Sequence, residues 1–193
     1  MYLTLRFDPA TEQAVRGLWR RIASIGIDVA GLTGHRPHIT LAGYEIDRAE
    51  SYRSRLADFA LGVAPFSIEF GHLGVFPAAG VVFLAPIVNQ RLLAVHQALV
   101  EQFAGPALAP MAHDQLLPDR WVPHCTLVSG ANPATSARVV ALCQDAWEPI
   151  TGTVEGIGAL VPPEVVDRYD FPLKPPGVHH RHQAGSGIAR GLQ

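Results

Sequence analysis

Between residues 2 and 7 apolar and polar positions alternate, Leu3, Leu5 and Phe7 against Tyr2, Thr4 and Arg6. A period of two sends successive side chains to opposite faces, so this stretch predicts a half-buried strand. Asp8-Pro9 interrupts it, and from Thr11 the residues Ala14, Val15, Leu18, Trp19, Ile22 and Ile25 recur at helical spacing as far as Gly26. Pro37 opens a short β-branched and apolar run through Tyr44, a second strand, since proline is tolerated at a strand's first residue. Ala49, Tyr52, Leu56 and Phe59 mark a second helix, and the apolar runs either side of Pro77-Ala78-Ala79-Gly80 read as a β-hairpin.

The second half follows the same plan. Leu92, Leu93, His96, Leu99, Val100 and Phe103 predict a helix, Pro123 to Ser129 a strand, and Val139, Val140, Leu142, Cys143 and Ala146 another helix. Strands near Ile150 to Val161 and Val166 to Leu173 complete the pattern. A plan written twice at half-chain spacing is a duplicated α+β unit, because solenoid repeats are shorter and more numerous. We expect residues 1–173 to form one domain of two lobes. Residues 174–193, rich in proline, glycine and polar side chains without periodicity, read as a disordered tail.

A length of 193 residues suits one sizeable core. The formal net charge of -2 argues against gripping duplex DNA by phosphate neutralisation, while leaving a nucleotide or an RNA end open. Cys125 and Cys143 form no C-x-x-C pair, and no apolar run approaches membrane-spanning length. A soluble, cytoplasmic protein is expected, with no membrane partner.

One five-residue frame, Pro-His-x-Thr-Leu, occurs at Pro37 to Leu41 and again at Pro123 to Leu127, with His124 following His38 by 86 residues (124 − 38). On a strand His38 and Thr40 share a face while Ile39 and Leu41 point the other way; His124 and Thr126 stand likewise against Cys125 and Leu127. A cleft between the lobes would bring the two pairs together. Paired imidazoles suit in-line displacement at phosphorus, where attacking and leaving oxygens lie on opposite sides. One histidine takes a proton from water and the other gives one to the departing alkoxide, and an unperturbed pKa near 6.5 makes both forms accessible. Threonine hydroxyls can then donate to the non-bridging oxygens.

The two H-x-T frames resemble the paired signatures of the 2H phosphoesterase superfamily. "RPHITLAGY" with "DRWVPHCTL" is particularly similar to its branch of RNA 2',3'-cyclic phosphodiesterases, also called 2'-5' RNA ligases. The resemblance covers roughly residues 1–173. It implies a bilobal, pseudo-twofold α+β fold, with antiparallel sheets lining a central cleft and helices outside. It further implies hydrolysis of a cyclic phosphodiester, commonly a 2',3'-cyclic phosphate of a nucleotide or RNA end to a 2'-phosphate, with no metal or other cofactor. The family's catalytic pair falls on His38 and His124, the first as acid and the second as base, and its phosphate-binding hydroxyls on Thr40 and Thr126. A monomer is expected, since duplication already builds the cleft.

Other residues carry weaker signals. Tyr44, Phe76 and Trp121 lie near the frames and are candidates to stack on a base, against core packing as the plainer alternative. Arg6, on the strand face of Tyr2 and Thr4, and Arg120 are candidate phosphate contacts, whereas Arg36 reads as a solvated surface charge. His96 reads as a packed core residue and His72 as a strand residue of either face. His35 and His113 sit in loops, the latter a candidate to line the cleft, and His179, His180 and His182 lie in the tail. Nothing assembles the His/Cys/Asp/Glu set of a catalytic zinc site. The histidine pair specifies proton transfer around phosphorus and no more, so 2'-5' ligation or cleavage, trimming of an RNA end, or hydrolysis of another small phosphoester remain alternative reactions of the same site. A non-catalytic RNA-end binder is the alternative from another class.

Overall fold

The computed structural model describes residues 1–29, 32, 34–45, 52–104, 109–110, 116–145, 147–161 and 167–174. In chain order the elements are β1 (Tyr2–Phe7), α1 (Pro9–Ser24), β2 (His38–Glu45), α2 (Arg53–Leu61), β3 (Phe66–Phe76), β4 (Val81–Pro86), α3 (Gln90–Phe103), β5 (Ala109–Pro110), a 3-10 turn at Pro118–Arg120, β6 (Cys125–Val128), α4 (Pro133–Gln144), β7 (Ile150–Leu160) and β8 (Asp167–Pro172). The predicted strands and helices all appear, and the fold is α+β. Ala49, Ala146 and Val166, placed in elements from the sequence, lie outside the described residues, as do His113 and residues 175–193, which hold the three tail histidines. Lys174, the first residue of the expected tail, donates its backbone N–H to Val63 at 3.1 Å.

All pairings are antiparallel, in the order β5-β2-β1-β7-β3-β4-β6, with β8 on β7. The duplication is visible in the ladder. Strands β3 and β7 cross at their N-terminal halves, centred on Ile68↔Gly152. Beyond the crossing β7 pairs with β1, which pairs with β2, and β3 pairs with β4, which pairs with β6. Each unit therefore reads β-α-β-α-β, one ending in β3 and the other in β7. The hairpin β3–β4 is the seam between units, its strands belonging to different copies.

Both units also carry the same irregularities. Leu41 is an extra residue in β2 between the pairs Leu3↔Ala42 and Thr4↔Thr40, and Leu127 is its counterpart in β6 between Val82↔Val128 and Phe83↔Thr126. Glu155 in β7 and Gly71 in β3 form a second matched pair of bulges. A bulge reverses which residues face which side. On the core side lie Leu3, Leu5, Phe7, Ile39, Leu41, Leu84, Cys125 and Leu127, all at most 1% exposed. Against them pack Val15, Ile22, Leu92, Leu99, Phe103 and Val139 from the helices. Phe7 and Phe70 meet edge to face at 5.4 Å. Among the described residues no helix is long and apolar enough to cross a membrane.

Candidate active site

Strand β2 begins at His38 and β6 directly after His124, so both frame histidines stand at the mouth of a strand whose next residue is anchored in the core. Ile39 and Cys125 are 0% and 1% exposed, while His38, Thr40, His124 and Thr126 are half-buried. The alternation expected of each frame is thus realised. Among the described residues neither strand's outer edge continues the sheet at the frames, and β2 and β6 approach one another across the cleft.

Each histidine is oriented by the same local contact. His38 Nδ1 lies 2.8 Å from the Arg36 carbonyl and His124 Nδ1 lies 2.7 Å from the Val122 carbonyl, both two residues upstream. A carbonyl only accepts, so Nδ1 carries the proton and Nε2 is left to act as base when the ring is neutral and as acid when it is charged. Burial holds the His38 ring down at about 4; the positive charges of Arg6, His35 and His124 press the same way, and the Arg36 carbonyl opposes them. His124 is also lowered by burial, against its Val122 contact. Since the charge of His124 acts on His38, the two rings lie within electrostatic reach of each other.

The halves of the cleft differ in what surrounds their histidine. Pairing places Arg6 opposite His38 and Thr4 opposite Thr40, so both share the cleft face. Arg6 is 1% exposed and lies across the glycines of β7: a Cβ on Gly158 would stand 2.6 Å from Arg6 Nη2 and 2.8 Å from the Tyr169 carbonyl. At the position matching Thr4 the other half has Phe83, opposite Thr126 and against Gly74, where a Cβ would stand 2.3 Å from the Phe83 ring. Phe83 and Phe76 pack at 4.4 Å, and His124 meets Phe76 edge-on at 5.0 Å and Phe83 at 5.3 Å. One wall is cationic and the other aromatic.

The remaining candidates divide. Phe76 lies in the cleft beside His124. Tyr44 does not: although it falls in step with His38 in the sequence, the extra residue at Leu41 turns it to the core, where it is 5% exposed and stacks on Phe103 at 6.0 Å. Trp121 has its indole N–H donated to the Thr40 carbonyl at 3.0 Å and its ring flat on His96 at 3.9 Å, so neither of these groups is free for a base. His96, 4% exposed, is the packed residue expected. Arg120 is exposed on the 3-10 turn, His72 is exposed on β3, and His35 is half-buried 6.3 Å from the His38 ring. Arg36 is not the free surface charge expected. It pairs with Glu12 at 2.6 Å and with Asp170, tying α1 to β8 beside Arg6.

Periodicity did not single out Thr4, Phe83 or Trp19. The Trp19 indole donates to the Thr126 carbonyl at 3.0 Å, yet in sequence it is one more apolar residue on a helix stripe. Among the described residues no three His, Cys, Asp or Glu side chains gather to hold a metal ion.

A family model described as the 2'-5' RNA ligase superfamily matches residues 9–162. Functionally curated proteins give no match. Among solved structures, a crystal structure of a phosphoesterase superposes with a TM-score of 0.50 at 16% identity, covering 90% of this chain and 94% of that one. Apo LigT of E. coli superposes with a TM-score of 0.52 at 17% identity, covering 90% and 93%. At these identities the likeness to the solved structures is one of fold.

Proposed function

The chain belongs to the 2'-5' RNA ligase superfamily, and from that premise we propose that it hydrolyses a 2',3'-cyclic phosphate, of a nucleotide or an RNA end, to a 2'-phosphate without a metal. The observation that carries this is the pair of His–Thr faces, each with Nδ1 bound to its own upstream carbonyl and Nε2 left for the substrate. Water attacks phosphorus, one imidazole takes its proton, the bond to the 3'-oxygen breaks, and the other imidazolium protonates that oxygen. Thr40 and Thr126 donate to the non-bridging oxygens, and the cation of Arg6 faces the charge that develops.

The family order makes the first histidine the acid. The charges around this site favour the reverse. Arg6 stands opposite His38, whereas Phe76 and Phe83, which carry no charge, pack against His124, so a proton shared by the pair is repelled from the His38 side. We therefore assign His38 as base and His124 as acid. Phe76, beside His124, is the surface on which the nucleobase stacks. With a 5'-hydroxyl in place of water as the attacking group, the same pair takes the proton of that hydroxyl, breaks the bond to the 3'-oxygen and leaves a 2'-5' linkage, the reaction for which the superfamily is named. A reducing, cytoplasmic setting suits the two free and buried cysteines, and a monomer suffices for this site.

The test is turnover of 2',3'-cyclic nucleotides and of a cyclic-phosphate-ended oligoribonucleotide in excess chelator, with product position read by NMR. His38→Ala and His124→Ala are each expected to lose at least about a thousandfold in rate. On a substrate whose leaving 3'-oxygen is replaced by sulfur, which needs no acid, His124→Ala should recover and His38→Ala should not. Tight binding without turnover by the folded wild type would make the chain an RNA-end binder instead.

A further inference from the structure

The edge carbonyls of both frame strands are bonded across the cleft. Thr40 of β2 belongs to the first unit, and its carbonyl accepts from Trp121, which belongs to the second. Thr126 of β6 belongs to the second unit, and its carbonyl accepts from Trp19, on α1 of the first. Both distances are 3.0 Å. An edge carbonyl ordinarily faces water or another strand; here each is met by an indole from the opposite copy.

Each indole is in turn held by its face. His96, from α3, stacks on Trp121 with the rings 2° from parallel. The Arg16 guanidinium lies 5.5 Å from the centroid of the Trp19 ring. Trp19 and His96 are both buried, each on the stripe of the helix that links the two outer strands of its unit, and Trp121 stands three residues before His124 as His35 stands three before His38. The duplicated unit has thus placed one indole in each half at different positions to reach the same carbonyl.

We propose that Trp19 and Trp121 are a matched pair of positioning residues, whose crossed hydrogen bonds to the Thr126 and Thr40 carbonyls set the separation of the two His–Thr faces. Thr40 and Thr126 are the residues whose hydroxyls share a face with the histidines, so fixing their backbone fixes the spacing of acid, base and phosphate donors together. The effect on turnover rests on the function proposed above; the ties themselves do not. Trp→Phe keeps an aromatic ring and removes the N–H.

Histidine and indole NMR test the ties on the intact protein without substrate. In the wild type, the indole N–H protons of Trp19 and Trp121 should exchange with solvent at least about tenfold more slowly than that of Trp147, which lines an open groove beside β3. In Trp121→Phe the titration of His38, which Arg6, His35 and His124 face, should move up toward its ordinary range as water reaches the loosened edge of β2. In Trp19→Phe the titration of His124, packed against Phe76 and Phe83, should move the same way. Trp147→Phe should leave both rings unmoved. Turnover of a 2',3'-cyclic nucleotide should fall about tenfold to a hundredfold in kcat in either tie variant, with KM changing less than threefold. Fast indole exchange in the wild type, or variants that melt lower while the histidine titrations stay put, would overturn the proposal. So would unchanged kcat in a wild type that does turn over. A wild type inactive on every cyclic phosphate but with slow indoles and shifted histidines would retain the ties and remove the function proposed for the site.

Discussion

At the scale of single residues the chemistry was legible because the frame is written twice. Alternation within each copy was enough to put His38 with Thr40 and His124 with Thr126, and also to put Arg6 on the face of Thr4. Tyr44, a stacking candidate with core packing as the plainer alternative, takes the core, since one extra residue at Leu41 exchanges the faces of everything beyond it. Alternation failed for Arg36, whose partners Glu12 and Asp170 come from distant parts of the chain. The environment of the histidines leads to a definite pH dependence. Both free-enzyme pKa values lie below the ordinary 6.5, one near 4. Turnover needs one ring neutral and the other charged, so kcat/KM, which reports the free enzyme, should peak below pH 6.5 and fall about tenfold per unit above it. A bound phosphate favours the charged ring, so the kcat profile should sit at higher pH. Steady-state rates from pH 4 to 9 check this, and a kcat/KM plateau extending to pH 8 would contradict it. The glycine beneath Arg6 supplies a second test. Gly158→Ala places a methyl against the Arg6 guanidinium and against the Tyr169 carbonyl, which is backbone and does not swing away. The guanidinium must leave its slot, and the expected result is a loss of about a hundredfold in kcat/KM, approaching that of Arg6→Ala. Because the two substitutions remove the same charge from the cleft, the double variant should be little worse than either alone.

At the scale of elements, the starts of helices carry a local signature that the joints in strands lack. Asp8-Pro9 and Asn132-Pro133 combine an N-cap side chain with a proline at the first helical position, and Asn89 caps α3. Bulges have no such signature: Leu41, Leu127, Glu155 and Gly71 look like ordinary strand residues, and only the paired strand shows that one of them is extra. The caps are not equivalent, however. The Asn132 side chain accepts only from Thr135 N among its described hydrogen bonds, at 2.8 Å. Asp8 accepts from Thr11 N at 3.0 Å, from the Thr11 hydroxyl at 2.6 Å and from Thr153 N on β7 at 2.6 Å. It therefore fastens α1, and with it Trp19, to the central strand. Asn132→Ala should cost about 1 kcal/mol, the usual worth of a cap. Asp8→Ala strands two backbone N–H groups, Thr11 and Thr153, and should cost about 3 kcal/mol. Urea unfolding at pH 7 compares them, and equal losses would show that the bond to β7 adds nothing.

At the scale of the whole molecule, two units are held around a cleft by rings that must stay uncharged. His38 and His96 are both kept near 4 in the folded chain, burial being the main cause for each, against 6.5 in the unfolded chain. His96 packs from α3 of the second unit, beside the Leu41 backbone of the first and with its ring on Trp121. Between pH 6.5 and 4 the unfolded chain therefore binds protons that the folded chain refuses, and stability must fall as pH falls through that window. Above pH 6.5 both states are neutral at these rings and they contribute no slope. His96→Phe isolates one of them, because phenylalanine keeps an aromatic face for Trp121 and cannot be protonated. It gives up the polar contact with the Leu41 backbone, so the two proteins are compared by their acid losses and not by their stabilities at pH 7. On going to pH 4.5 it should then lose about 2 kcal/mol less than the wild type, the linkage expected for one ring displaced by roughly two pKa units. Urea melts at the two pH values measure the difference of differences, from which the carboxylates common to both proteins cancel. Equal acid losses would mean that His96 protonates readily in the folded protein, and the seam between the units would then have to open to water well before the chain unfolds.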